Sequence, residues 1–80
     1  MKTPDLQLER AAIDLIDGAL IRALIDRRKV SRCTQQTKAK AGLPARDPDR
    51  EADIILRYEN AARGAGSVVR AILDWCRHES

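Results

Sequence analysis

Apolar residues in the first half of the chain recur at the spacing of one helix face. This face is formed by Ile13, Ile16, Leu20 and Leu24. A Pro-Asp pair at residues 4–5 precedes the segment, and a Gly-Leu-Pro break at residues 42–44 follows it. Gly18 interrupts the segment at a cost of about 1 kcal/mol relative to Ala, but the apolar phase continues through it without a shift. The pattern therefore predicts one long helix from about residue 6 to residue 41.

Two shorter helices are predicted after this break. Asp47 is placed to cap the first of them, with Pro48 at its first helical position and two acids in its first turn. Its expected buried stripe consists of Ile54, Ile55, Tyr58 and Ala62. Gly64 and Gly66 are expected to end it, and Ser67 to cap the last helix. The apolar side of that helix consists of Val68, Val69, Ile72, Leu73 and Cys76. The fold class predicted is all-α, with one long helix and two shorter ones.

The length of the first helix predicts more than one copy of the chain. At a rise of ~1.5 Å per residue it would span roughly 54 Å, whereas the two shorter helices together supply only about 40 Å of cover. A compact chain of this size has a radius of gyration near ~12 Å. Much of the long apolar face would meet water in a monomer, and pairing two long helices is the simplest remedy. We therefore expect a homodimer.

The composition indicates which classes of partner suit the chain but does not identify a single partner. The chain of 80 residues has no Phe, one Trp and one Tyr, and its formal charge is +3, which favours anionic partners without requiring nucleic acid or a membrane. Cys33, Cys76 and His78 have no metal-site spacing, so no metal is expected. No signal-peptide core or membrane-length apolar run is found. The sequence predicts a cytoplasmic protein with reduced thiols.

The buried face of the long helix changes character after Leu24. The same side continues through Arg27, Ser31, Thr34 and Lys38. Arg27 and Lys38 would lie about 16 Å apart along the axis, close enough for their long side chains to converge on a small anionic ligand. The alternative is that the dimer contact ends near Leu24 and the basic residues 27–32 form a solvated surface. Such a surface would also suit a helical module that binds nucleic acid or protein.

Acidic residues on the second helix bear on this choice. Asp47 has a sufficient structural role as the helix cap, but Glu51 lies on the inward edge of the apolar stripe. Glu51 would neutralise a cation or accept a hydrogen bond from a ligand hydroxyl. Arg10 lies about 25 Å before Arg27 along the same helix, so it would reach such a pocket only in the partner of an antiparallel dimer.

The combined spacing resembles the all-helical chorismate mutases, in particular their short monofunctional members. The matching stretches are LERAAIDLID at residues 8–17, LIDRR at residues 24–28, Lys38, and LPARDPDRE at residues 43–51. They follow one another in the family's order between residues 8 and 51, a span of just over half of the chain. The resemblance implies that residues 1–80 form one domain and that two such chains make an intertwined homodimer with two shared active sites. It implies the isomerisation of chorismate to prephenate, as in phenylalanine and tyrosine biosynthesis, without a cofactor.

The same resemblance implies a role for each site residue. Arg10 of one chain and Arg27 of the other would bind the two carboxylates of the substrate. Lys38 would contact a carboxylate and the ether oxygen, and Glu51 would hold the ring hydroxyl. Asp47 and Arg50 would complete the site, Asp47 beside Glu51 and Arg50 in the anion-binding wall.

The third helix departs from the family's pattern. The family often has a small hydroxyl residue there, followed by a Gln or Glu that bonds the ether oxygen, and the aligned positions are Cys76 and Ser80. Some short members of the family resemble this chain near residues 74–77. These members rely on a partner enzyme of the same pathway for high activity. Two related substrates stay open on this scaffold: 4-amino-4-deoxychorismate, and isochorismate with elimination of pyruvate.

Overall fold

The computed structural model describes residues 3–77, with side chains from residue 5 onward. This part of the chain folds as three helices and contains no strand. The helices are α1 (Thr3–Ala41), α2 (Pro48–Ala61) and α3 (Ala65–Arg77). The predicted all-α class and the three helices of falling length are thus confirmed.

The long helix α1 runs through Gly18 without a break. It ends where Gly42 adopts a left-handed φ of 72°. The N–H of Gly42 then donates to the carbonyl of Ala39, and the N–H of Leu43 donates to the carbonyl of Lys38. This pair of bonds satisfies two carbonyls of the last turn, and the proline that follows cannot continue the helix. The chain therefore turns sharply towards α2.

The start of α2 follows the predicted capping pattern. Asp47 accepts a hydrogen bond from the backbone N–H of Arg50 at 3.1 Å, and Pro48 occupies the first helical position. The proline lacks the N–H that would otherwise have no partner there. These contacts fix the residue at which α2 begins.

The start of α3 corrects two expectations. Gly66 lies inside α3 rather than after α2, and Ser67 is in the first turn, where its hydroxyl donates to the carbonyl of Gly64 at 3.0 Å. The cap is supplied by Glu59 of α2, which accepts from the N–H groups of Gly64 and Gly66 at 3.0 and 2.9 Å. These bonds, with the one from Gly64 the stronger influence, lower the pKa of Glu59 below its ordinary 4.5. A Cβ on Gly66 would come within 2.8 Å of that carboxylate, so a larger residue there would displace the Glu59 side chain from its capping position.

The small core lies where α3 packs between α2 and the second half of α1. Among the described residues its buried apolar side chains are Val69, Leu73 and Cys76. Val68 and Ala62, which the sequence placed on buried faces, are exposed. The buried side of α3 is thus narrower than the sequence pattern suggested, and the expected stripe of α2 is at most half-buried.

The first half of α1 extends beyond this core into solvent. The chain measures 59 × 25 × 16 Å with a radius of gyration of 16.8 Å, against about 12 Å for a compact chain. Its accessible surface is 6685 Å², whereas a compact monomer of this mass exposes about 4,800 Å². Ile16 and Leu20 of the apolar face are 64% and 53% exposed. As predicted, a single chain leaves this face uncovered.

Candidate active site

A cleft of about 320 Å³ opens between the second half of α1, the start of α2 and the end of α3. Its volume is at the lower end of the range of small-molecule sites. Five of the six predicted site residues line it: Arg27, Lys38, Asp47, Arg50 and Glu51. Ser31 and Thr34, which continue the polar side of α1, line it as well. The polar half of the α1 face therefore lies against the cleft.

Arg27 enters the cleft at its α3 side. Its guanidinium donates a hydrogen bond to the sulfur of Cys76 at 3.4 Å, and Arg27 itself is half-buried. Cys76 is buried and also lines the cleft, at the position where the family often has a hydroxyl residue. Since a thiol sulfur is a weak acceptor, the guanidinium keeps most of its donors for a ligand. Ser80, the other aligned position, lies outside the described residues.

Lys38 lies at the opposite end of the cleft, beside the loop that joins α1 to α2. Its ammonium donates to the carbonyl of Ala45 at 3.3 Å, and the amide of Gln35 donates to the same carbonyl at 3.1 Å. The two side chains fasten the loop over this end of the cleft. Gln35 was missed from the sequence, although its position three residues before Lys38 already puts it near the polar side of α1.

Glu51 accepts hydrogen bonds from two arginines. Arg46 donates to one carboxylate oxygen at 3.0 Å, and Arg77 donates to the other at 2.6 Å. Arg77 also pairs with Asp74 of its own helix. No role was predicted for Arg77 from the sequence; the usable signal was its place four residues after Leu73, which puts it on the inward side of α3.

Asp47 and Arg50 lie together at the first turn of α2. The Asp47 carboxylate is engaged by the backbone N–H of Arg50, so its structural role as cap is present in this single chain. The Arg50 side chain lines the cleft. Both residues thus border the cleft on its α2 side.

Arg10 is not in this cleft. It is exposed on the first half of α1, seventeen residues before Arg27 on the same continuous helix, which corresponds to about 25 Å. The cleft of one chain therefore contains every predicted site residue except the one expected to come from a second copy.

The charge of the cleft suits an anion. Arg27, Lys38, Arg50 and Arg77 face Asp47 and Glu51, an excess of two positive charges. Partly enclosed cations of this kind attract and orient a small anionic ligand. Among the described residues, no three His, Cys, Asp or Glu side chains are grouped as a metal site requires.

Residues 9–79 match the sequence model of the family described as chorismate mutase type II. The chain belongs to this family. The match begins within α1 and includes every residue of the cleft, all of α2 and all of α3, where the motif resemblance was weakest. No curated protein and no solved structure gives a significant match. Membership supports chorismate mutase chemistry, an isomerase reaction, at the level of the family.

None of the described helices is both long and apolar enough to cross a bilayer.

Proposed function

We propose that this protein is a chorismate mutase that converts chorismate to prephenate. The observation that supports the proposal most strongly is the cleft, in which Arg27, Lys38 and Glu51 meet around a space sized for a small ligand. Chorismate is a dianion with a ring hydroxyl and an ether bridge, and the cleft offers an excess of cations together with two carboxylates, of which Glu51 is the proposed acceptor. Each polar group of the substrate therefore has a complementary side chain.

The proposed reaction is a one-step pericyclic rearrangement. It requires no nucleophile, proton transfer or cofactor, so the protein has two tasks. The first is to hold the dianion in its compact reactive conformer, which Arg27 and Lys38 would do by binding its carboxylates. The second is to stabilise the negative charge that develops on the ether oxygen as the C–O bond breaks, a role we assign to Lys38. Such a contact typically contributes ~2–4 kcal/mol to the lowering of the barrier.

The remaining residues orient the substrate. Glu51 would accept a hydrogen bond from the ring hydroxyl, and Asp47 would contribute beside it. Arg50 would add positive charge to the wall that faces the carboxylates. Arg27 would bind one carboxylate from within the chain, and Arg10 of a second copy would bind the other.

A homodimer would supply Arg10 and cover the exposed apolar face at the same time. The uncovered first half of α1 contains both Arg10 and the stripe of Ile13, Ile16 and Leu20. If two copies pair antiparallel along this stripe, Arg10 of each approaches the cleft of the other. We propose that residues 1–80 are one domain of such an intertwined dimer.

The test is to follow chorismate spectroscopically with purified protein and no added metal or cofactor. We expect chorismate to be consumed and prephenate to appear in equal amount. Parallel assays with 4-amino-4-deoxychorismate and with isochorismate, the latter followed by pyruvate release, separate the related substrates. A clear preference for either would replace chorismate in the proposal, and no turnover of any of the three would refute it.

Two further parts of the proposal concern location, which the composition predicts, and a partner, which the resemblance implies. One is a cytoplasmic location, which fractionation of cells that produce the protein would check. The other is an activating partner enzyme of the same pathway. Low turnover by the purified chain that rises when enzymes of that pathway are added would support such a partner.

A further inference from the structure

The Glu51 carboxylate is bridged between two elements other than its own helix. Arg46, in the loop before α2, donates to Oε1 at 3.0 Å. Arg77, near the end of α3, donates to Oε2 at 2.6 Å. The bridge thus connects the loop, the first turn of α2 and the end of α3 at one wall of the cleft. Both carboxylate oxygens are held in this arrangement.

Arg77 is the better-fixed of the two arginines. Its side chain is 31% exposed, against 62% for Arg46, and the Glu51 side chain is 22% exposed. Arg77 is also held from a second side, because its other terminal nitrogen pairs with Asp74 one turn earlier in α3. A shorter and less exposed pair is less screened by solvent than an exposed one. The position of the carboxylate therefore depends mainly on Arg77.

Fixing this carboxylate matters for binding a dianion. A carboxylate without a cationic partner would repel the substrate and would be free to rotate. An ionised carboxylate has about four acceptor positions, and the two arginines use two of them. The remaining lone pairs can still accept a hydrogen bond from a ligand hydroxyl. The two arginines thus offset the repulsion between Glu51 and the substrate and leave Glu51 able to accept a hydrogen bond.

We infer that Arg77 is a positioning residue that holds the Glu51 carboxylate as an oriented acceptor for the ring hydroxyl of the substrate. This inference rests on the proposed function and extends it to α3, where the family's Gln or Glu has no counterpart within the described residues. Arg77 acts through Glu51 rather than on the reacting bond. Its effect should therefore depend on the hydroxyl group of the substrate.

The test compares kcat/KM for chorismate with kcat/KM for an analogue that lacks the ring hydroxyl. Arg77→Gln should lower kcat/KM for chorismate about tenfold or more, the effect of losing one charge-assisted hydrogen bond, and should lower that for the analogue far less. Arg77→Lys should restore part of the preference for the hydroxyl, since an ammonium can donate to the carboxylate but cannot reproduce the planar fork. Arg57→Gln, an exposed arginine of α2 outside the cleft, makes the same charge change and should leave both values unchanged.

The outcomes separate this inference from the proposed function. Equal losses for the two substrates, or no loss for either, in an otherwise active protein would overturn the inference and leave the function standing. A wild-type protein without activity on chorismate would overturn both. If circular dichroism shows that Arg77→Gln does not fold, Arg77→Lys decides alone: a lowered preference for the hydroxyl supports the inference, and a wild-type preference contradicts it.

Discussion

The two halves of α1 present the same side of one helix to different surroundings. In the first half that side is apolar, and Ile16 and Leu20 are mostly exposed. In the second half it turns polar, and Arg27 and Lys38 are half-buried against the cleft. The chain packs its own α3 against the polar half, with α2 across the cleft, and leaves the apolar half bare. Because burying a Leu or Ile side chain contributes about 1.5–3 kcal/mol, the bare half is where a second copy would add most.

The comparison teaches that one helix face can serve two purposes along its length. Its apolar half would hold the dimer together, and its polar half would bind the substrate. Arg10 connects the two, since it lies on the half without a cleft. A variant that dissociates the dimer should therefore also lose activity.

The largest expected effect is on turnover when a cation of the polar half is removed. Arg27→Ala and Lys38→Ala should each lower kcat by about 10²–10³, the usual effect of deleting one group that stabilises transition-state charge. Thermal unfolding should change little, because Arg27 has only a weak contact to Cys76 and Lys38 bonds a surface loop. Lys40→Ala, an exposed lysine of the same turn, is the matched control and should stay fully active. Normal turnover in either cleft variant would refute the assignment of the cleft.

The second-largest effect is expected on dimer formation, when the apolar half of α1 is changed. Leu20→Asp places a charge in the centre of the exposed stripe, and we expect the dimer to dissociate and activity to fall with it, because a buried unpaired carboxylate is costly. Sedimentation velocity and the chorismate assay, at matched protein concentrations, measure the two effects. Arg22→Asp places the same residue on the opposite side of α1, where it loses only an exposed pair with Asp26. Retention of a wild-type dimer by Leu20→Asp would show that the stripe is not the interface.

A smaller effect is predicted at Gly18, on the side of α1 away from the stripe. A Cβ there would meet nothing within 4 Å in the single chain. Gly18→Ala should therefore raise the free energy of unfolding by about 1 kcal/mol per chain through helix propensity alone. Chemical denaturation measures this change. A loss of stability instead would mean that the second copy also approaches α1 closely on the Gly18 side.

The smallest effect is expected at Glu59, which belongs neither to the apolar stripe nor to the lining of the cleft. Its pKa in the folded chain is lowered below 4.5 by the N–H groups of Gly64 and Gly66. The stabilisation by this carboxylate is therefore complete above pH 4.5 and is lost as the pH falls through the lower folded value. Glu59→Gln should destabilise the protein slightly at neutral pH and flatten the acid limb of its stability profile. An unchanged profile in thermal scans from pH 7 to about pH 3 would contradict this account of the α3 cap.

The sequence predicted the elements that depend on local signals. Asp47 and Pro48 identified the start of α2 because capping is a short-range effect, and the unshifted phase around Gly18 predicted a continuous α1. The start of α3 was predicted wrongly because its cap is Glu59, on the preceding helix. Ser67, two residues after the true start of α3, is a more common capping residue and was chosen instead.

The candidate site was predicted unevenly for the same reason. Arg27 and Lys38 were found from the polar turn of a helix face, which periodicity reveals. Arg77 and Gln35 were missed because their importance lies in contacts to Glu51 and to a loop carbonyl. Such contacts depend on how the helices pack and leave no local pattern.

The most direct test of the central account is to mix two inactive variants. Arg10→Ala and Lys38→Ala chains, unfolded and refolded together, should form dimers of which half are mixed, each with one intact site, so about a quarter of wild-type activity should return. A mixture of Arg27→Ala with Lys38→Ala chains is the control, since every site then lacks one of the two residues and no activity should return. Recovery in the first mixture alone is the predicted result. Full activity of Arg10→Ala by itself, or no recovery with Lys38→Ala, would contradict a site shared between two chains.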